Sequence, residues 1–343
     1  MNNPAAVYRG DGHFEIVDQP VAAPGPGEVR LEIAFCGICG TDLHAYLGHM
    51  DARIGDQRVF GHEMAGTVVE VGEGVDGYRC GDRVVVRPLD NCGDCPACNN
   101  GHAHICHNLK FMGIDTDGAF KRFWTVPAKL LHALPDNLSL AAAALVEPTA
   151  VAAHDVRRAR LKAGECALVI GGGPIGTLIA LTAKAEGADV ILSEINSTRI
   201  RMANAMGLEA VNPLETDVVA LINERTGNKG ADVVFEVSGS QPGVDLMTEV
   251  AATRGRIVMV AIHANRPLVD MFRFFWRELE LIGARVYEPE DFDRALELLG
   301  SGAIDVDAII TDKQPLERIG DAFASLTGNA EALKTLITIT QGE

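Results

Sequence analysis

The chain is short of positive charge. Thirty Lys and Arg stand against 47 Asp and Glu, a net charge of −17 over 343 residues. That balance argues against nucleic acid or an anionic membrane as a partner. Long apolar runs are also missing: no stretch approaches the roughly 20 residues needed to span a bilayer. The opening Met1-Asn2-Asn3-Pro4 has neither a basic segment nor an apolar core. A secretory signal is therefore not expected, and a cytoplasmic location with reduced cysteines is. Internal repeats and low-complexity segments are absent. What is present is 47% hydrophobic with 36 glycines, globular and turn-rich, and long enough for about two domains.

Eight cysteines occur, at 36, 39, 80, 92, 95, 98, 106 and 166. Four of them, Cys92-x2-Cys95-x2-Cys98-x7-Cys106, crowd into fifteen residues. In a reducing compartment this crowding points to metal rather than disulfides. Four thiolates close a tetrahedral zinc shell, so the ion is expected to be structural. The segment 91–108 has almost no apolar residues with which to fold itself, and a metal supplies that stability. His102, His104 and His107 are surplus to a saturated tetrahedron and read as solvated surface. A zinc-ribbon nucleic-acid module is the rival reading, and the acidic charge opposes it.

The run Leu168-Val169-Ile170-Gly171-Gly172-Gly173-Pro174-Ile175-Gly176 passes from an unalternating apolar strand to a helical pattern. Gly171, Gly173 and Gly176 satisfy G-x-G-x-x-G: a tight turn, a close approach to pyrophosphate, and close helix–strand packing. Pro174 suits the first helical turn, and Ile175 follows it there. The helix N-terminus offers free N–H groups to an anion. Glu194, 18 residues past Gly176, closes a second strand where a carboxylate receives ribose hydroxyls. A carboxylate there disfavours a 2′-phosphate, so NAD is expected over NADP. Arg199 weakens that inference slightly and can instead stack on adenine.

Residues 5–90 read as short strands between Gly/Pro turns, a compact β-barrel-like domain. Within it lie Cys39-Gly40-Thr41-Asp42-Leu43-His44 and Gly61-His62-Glu63. Cys39 and His62 are typical zinc ligands from two loops. Taken singly they better suit a buried thiol and a hydrogen-bonded core histidine, and Thr41 a helix cap. Glu147 sits between apolar stretches, where a carboxylate is costly unless paired or metal-bound. From 153 to about 286, strands at 166–170, 189–193, 210–211, 231–237, 256–260 and 280–283 alternate with helices. That pattern predicts a doubly wound parallel sheet. Val237, Ser238, Ala261 and Ile262 close strands at its carboxyl edge, where ligands bind. Phe272, Phe274, Phe275 and Trp276 read as buried packing. A helix at 289–299 and a late strand at 333–339 are expected to return to the first domain, giving a catalytic domain of 1–152 and 288–343 and a nucleotide domain of 153–287.

In these motifs, taken together and in order, the sequence resembles the zinc-dependent medium-chain dehydrogenases along essentially its whole length. The resemblance is nearest to their sorbitol, butanediol and threonine dehydrogenase branch. It implies a GroES-like β-barrel catalytic domain beside a Rossmann NAD domain, an overall α/β fold, and two zinc ions per chain. It implies a catalytic zinc on Cys39 and His62 plus an acid, either Glu63 or Glu147. It also implies a proton path from Thr41 through the cofactor ribose to His44, and a homotetramer or dimer. The expected reaction is hydride transfer from a secondary alcohol or polyol to NAD. Oxidation of an amino-alcohol such as threonine is the alternative, with Arg285 a candidate for its carboxylate. A dinucleotide-binding regulator on the same fold is the non-enzymatic one.

Overall fold

The computed structural model describes residues 2–55, 57–327 and 332–340. The chain divides into two units: 1–147 with 288–302 and 309–343, and 148–287 with 303–308.

The first unit is built on β-structure. A seven-stranded sheet runs Leu131–Ala133, Arg83–Val86, Glu63–Val71, Glu28–Gly37, Lys334–Thr338 and Ile310–Pro315, with Phe123–Pro127 paired to Glu28–Gly37. A second sheet joins Phe14–Asp18, Pro4–Tyr8 and Arg58–Val59. Tyr8, Leu31, Ile33 and Met64 from these sheets meet Phe60 and Phe120 from connecting segments in one buried core. Strand Glu28–Gly37 is central to the site because three segments converge on it. Gly37 pairs with Glu63 on one side and with Leu336 on the other. The last described strand is thereby laid beside the start of the chain, and Lys334 comes within reach of residues 37–63.

The second unit is a six-stranded sheet, ordered 209–211, 189–193, 166–170, 231–236, 251–259 and 280–283, every pair parallel. Strand Cys166–Ile170 is buried along its whole length, which explains its unbroken apolar run. Helix Pro174–Ala185 follows with Gly173 as N-cap. A Cβ on Gly176 would collide with the carbonyl oxygen of Gly171, so only glycine lets this helix approach its strand. Strand Ala251–Met259 starts five residues before the expected 256, pairing Ala251 with Ala231 ahead of an irregularity that brings Arg256 opposite Val233.

The aromatic cluster corrects the expectation of burial. Phe272, Phe275 and Trp276 are 65%, 77% and 72% exposed. They lie on helix Met271–Arg277, where successive residues turn by about 100°. Four aromatics in five positions cannot share one face, and only Phe274 packs on the sheet core. No helix among the described residues is long and apolar enough to cross a membrane.

Candidate active site

Cys39 is the N-cap of helix Gly40–Tyr46. The helix closes a capping box on it: Thr41 N donates to Cys39 Sγ at 3.5 Å, and Asp42 Oδ2 accepts from Cys39 N at 3.0 Å. Thr41 is therefore inside the first turn rather than its cap. His62 comes from the loop before strand Glu63–Val71 and is buried. Its Nδ1 stands 3.5 Å from Asp42 Oδ1. One buried carboxylate thus bonds the backbone of one candidate ligand and faces the ring of the other. A carboxylate at Nδ1 fixes the tautomer and leaves Nε2 for a metal. Burial pulls the His62 pKa down, but Asp42 and Cys39 outweigh it and leave it well above the usual value.

The sulfur, imidazole and carboxylate donors of Cys39, His62 and Glu63 lie within 4.8 Å of one another. Soft and borderline donors at this spacing fit zinc. Adjacent side chains on a strand point oppositely, and both His62 and Glu63 reach the cluster because His62 precedes the strand that Glu63 opens. Glu147, 6% exposed, opens helix Val146–Arg158 and stands outside this cluster.

Lys334 was not anticipated. Its side chain is 3% exposed, its Nζ forms an ion pair with Glu63 Oε2 and donates to Ile38 O at 3.1 Å. Burial lowers its pKa, but Glu63, Cys39 and Glu147 together raise it above the ordinary lysine value. A Cβ at Gly37 would collide with Glu63 Oε2 and lie 2.9 Å from Lys334 Cε, so glycine there makes room for the pair. The only sequence signal was a lysine inside the apolar run 333–337.

Phe111, on strand Lys110–Phe111, meets the His62 imidazole edge-on at 4.9 Å. Asp115 accepts from Phe111 N at 2.8 Å and from Arg53 Nε and Nη2 at 2.7 and 2.8 Å. His44, on the outer face of helix Gly40–Tyr46, is exposed.

In the cysteine lobe, Cys92, Cys95, Cys98 and Cys106 also gather within 4.8 Å. Three of the sulfur separations are 3.4, 3.5 and 3.7 Å, near the roughly 3.8 Å edge of a tetrahedron with zinc–sulfur bonds of about 2.3 Å. Backbone N–H groups of Cys92, His107 and Asn108 point at these sulfurs. His102 and His107 are exposed as expected. His104 is not: its side chain is 9% exposed and faces Glu288 at 3.6 Å.

In the nucleotide unit, Glu194 closes over the glycine loop. Its Oε2 accepts from Gly172 N at 2.7 Å, and its Oε1 from Ile195 N and Asn196 N, each at 2.7 Å. Arg199 Nη1 lies 4.0 Å from the same carboxylate. Gly173 and Pro174 begin the helix, and a Cβ on Gly173 would have only Arg199 within 4 Å, so the loop is open there to a ligand. Glu236, fully buried, gathers the next strand ends. It accepts from Ser238 N and Gly239 N at 3.0 and 3.1 Å and faces His263 Nε2 at 3.1 Å. The Ser238 hydroxyl is committed to Glu236. Val237 N bonds Ile170 O and Ala261 N bonds Glu236 O, which locks both ends to the sheet, while Ile262 is 81% exposed.

A thiol–imidazole–carboxylate cluster in one unit and a glycine loop under a carboxylate in the other define a zinc-binding, dinucleotide-dependent oxidoreductase. Residues 25–136 match the family described as "Alcohol dehydrogenase GroES-like domain", and 174–301 that described as "Zinc-binding dehydrogenase". The chain is 55% identical over 333 residues to the 2-dehydro-3-deoxy-L-galactonate 5-dehydrogenase of Pseudoalteromonas atlantica, covering 97% of this chain and 98% of that one. It is 31% identical to the sorbitol dehydrogenase of Halalkalibacterium halodurans, covering 96% of each. The crystal structure of 2R,3R-butanediol dehydrogenase from Bacillus subtilis superposes with a TM-score of 0.90 at 34% identity, over 98% of this chain and 100% of that one. The chain belongs to the zinc-dependent medium-chain alcohol dehydrogenase family. It is an enzyme, and its activity is the dehydrogenation of an alcohol or polyol.

Proposed function

We propose that the chain oxidises one secondary hydroxyl of an acyclic, polyhydroxylated sugar acid of the 2-dehydro-3-deoxy-L-galactonate type, with NAD as acceptor. The observation that carries the substrate class is the 55% identity sustained over 97% of the chain. Glu194 supports NAD: its carboxylate occupies the end of strand Asp189–Ser193 and would repel a 2′-phosphate.

Cys39 and His62 would hold the catalytic zinc with one of two acids. Its place beside Cys39 and His62 supports Glu63 as the direct ligand, with Lys334 balancing its charge. The second zinc belongs to Cys92, Cys95, Cys98 and Cys106. When bound, the catalytic ion would supply Lewis acidity to the substrate hydroxyl and the dinucleotide would supply a hydride acceptor. The rest falls to this chain's side chains. Thr41 relays the hydroxyl proton; its own pKa is too high for a base. His44, about one turn further along the same helix and exposed, releases the proton to solvent. Gly171, Gly173 and Gly176 with the start of helix Pro174–Ala185 bind the pyrophosphate.

A cytoplasmic homo-oligomer is part of the same reading. The exposed aromatics of helix Met271–Arg277 support it, together with the exposed edge strand Glu280–Gly283.

Zinc-loaded protein assayed with NAD and NADP in parallel tests the proposal. The panel is 2-dehydro-3-deoxy-L-galactonate, sorbitol, 2,3-butanediol and L-threonine. The highest kcat/KM is expected for the sugar acid with NAD. Turnover of threonine without turnover of any polyhydroxylated substrate would overturn it.

A further inference from the structure

Helix Gly40–Tyr46 ends in a specific turn. Gly48 N donates to Ala45 O and His49 N to His44 O, both at 3.0 Å. Gly48, with φ of +77°, takes the left-handed conformation between them. This bond pair is a Schellman motif, in which the second residue past the cap folds back over the third residue before it. Those two positions ordinarily carry apolar side chains in contact. Here they are His49 and His44, and their Nδ1 atoms meet at 3.2 Å. The ring centroids are 5.5 Å apart, and both rings are exposed.

A bond between two imidazole Nδ1 atoms requires one donor and one acceptor. If His44 donates, its Nε2 is a lone pair and can take up a proton. If His49 donates, His44 Nε2 already carries a hydrogen and cannot. Only the first arrangement suits His44 to the outlet role given it above, on which this inference rests.

We propose that His49 is a positioning residue that holds His44 in its Nδ1–H tautomer and conducts the released proton onward. A proton from the relay bonds to His44 Nε2. The His44 Nδ1–H bond breaks as an N–H bond forms at His49 Nδ1, and the His49 Nε2 proton passes to water or buffer. One proton enters, one leaves, and no electrons move. The starting tautomers return when His49 Nε2 takes a proton from water, the Nδ1 proton passes back from His49 to His44, and His44 Nε2 gives its proton to water. The sequence made His44 visible but not this partner, because a histidine after a helix-ending glycine reads as loop.

The test uses the full chain loaded with zinc and labelled with 15N. Long-range nitrogen spectra should show His44 as the Nδ1–H tautomer. In His49→Phe, which keeps a ring over His44, that tautomer should be lost. Alcohol oxidation in dilute buffer should slow by at least about threefold and recover with added imidazole, KM for the alcohol staying constant. In His49→Gln, whose carbonyl can accept but not relay, the tautomer should persist while the rate stays buffer-dependent. Unchanged His44 shifts, or a His49→Phe rate equal to wild type at low buffer, would overturn the proposal. Full activity in His49→Gln would overturn the transfer step. A wild-type chain oxidising no alcohol with either cofactor would overturn the functional reading and the relay with it; activity with a silent His49 removes the relay alone.

Discussion

The two candidate metal clusters of the barrel unit are opposites. The cysteine lobe draws four like ligands from fifteen residues of chain, backs them with its own N–H groups, and has around it only a small core of Cys95, Ala97 and Cys106. The other cluster draws unlike ligands from separate segments, and Lys334 reaches Ile38 across 296 positions of sequence. It lies against the main core and encloses a buried cation. A saturated, locally closed site can only hold structure. A cluster of mixed donors, with its charge set by distant residues, can hold a metal and still do chemistry on it.

That contrast is most sharply broken or upheld by matched serine substitutions. Cys39→Ser should lower kcat by about 10³-fold or more, since several kcal/mol of charge stabilisation go with the ion. The thermal midpoint and NAD affinity should stay close to wild type. Cys95→Ser should do the reverse, with zinc content falling by one ion, the midpoint dropping several degrees, and residual enzyme turning over normally. Metal analysis reads the zinc content, calorimetry the midpoint, and NADH fluorescence both turnover and affinity. Equal loss of stability in the two variants would erase the distinction.

The Lys334–Glu63 pair gives the next largest effect. Lys334→Met leaves a carboxylate buried without its cation, which costs about 3–5 kcal/mol. Glu63→Gln in the same chain removes the orphaned charge and should return a good part of that loss. Chemical denaturation of the two single variants and the double one forms the cycle. Additive losses would mean that the two residues do not act as a pair.

How much of this was legible depends on sequence distance. The lobe and the glycine loop announce themselves because ligand spacing and turn chemistry are local. Strand Cys166–Ile170 is legible for the same reason: burial on both faces writes an unbroken apolar run. Cys39 and His62 became readable only with their neighbouring motifs. Asp42 and Lys334 did not, because their roles follow from tertiary pairing. Strand Glu28–Gly37 has to lie between Glu63 and Lys334 before either has a partner. The aromatics at 272–276 failed differently. Composition says that such side chains prefer burial, but the direction each faces is set by the helix they stand on.

Asp42 offers the finest cut between the two clusters, since each has polar side chains behind its ligands, Asn91 and Asn108 in the lobe. Asp42 reaches both Cys39 N and His62 Nδ1; in the lobe, Asn108 Nδ2 lies 3.6 Å from Cys92 Sγ and the residue is exposed. Asp42→Asn can keep the bond to Cys39 N through its carbonyl, but then turns an amide N–H₂ toward His62 Nδ1. The imidazole must present a lone pair there, which moves its proton to Nε2, the nitrogen a metal needs bare. Zinc affinity at this site should therefore fall by about 10–100-fold, measured by chelator competition against the lobe ion as internal reference. Asn108→Ala should change the affinity of the lobe by less than about threefold, because four thiolates and three backbone N–H groups remain and exposed contacts contribute little. If the lobe proved the more sensitive of the two, the local ligands would be as dependent on their surroundings as the distant ones.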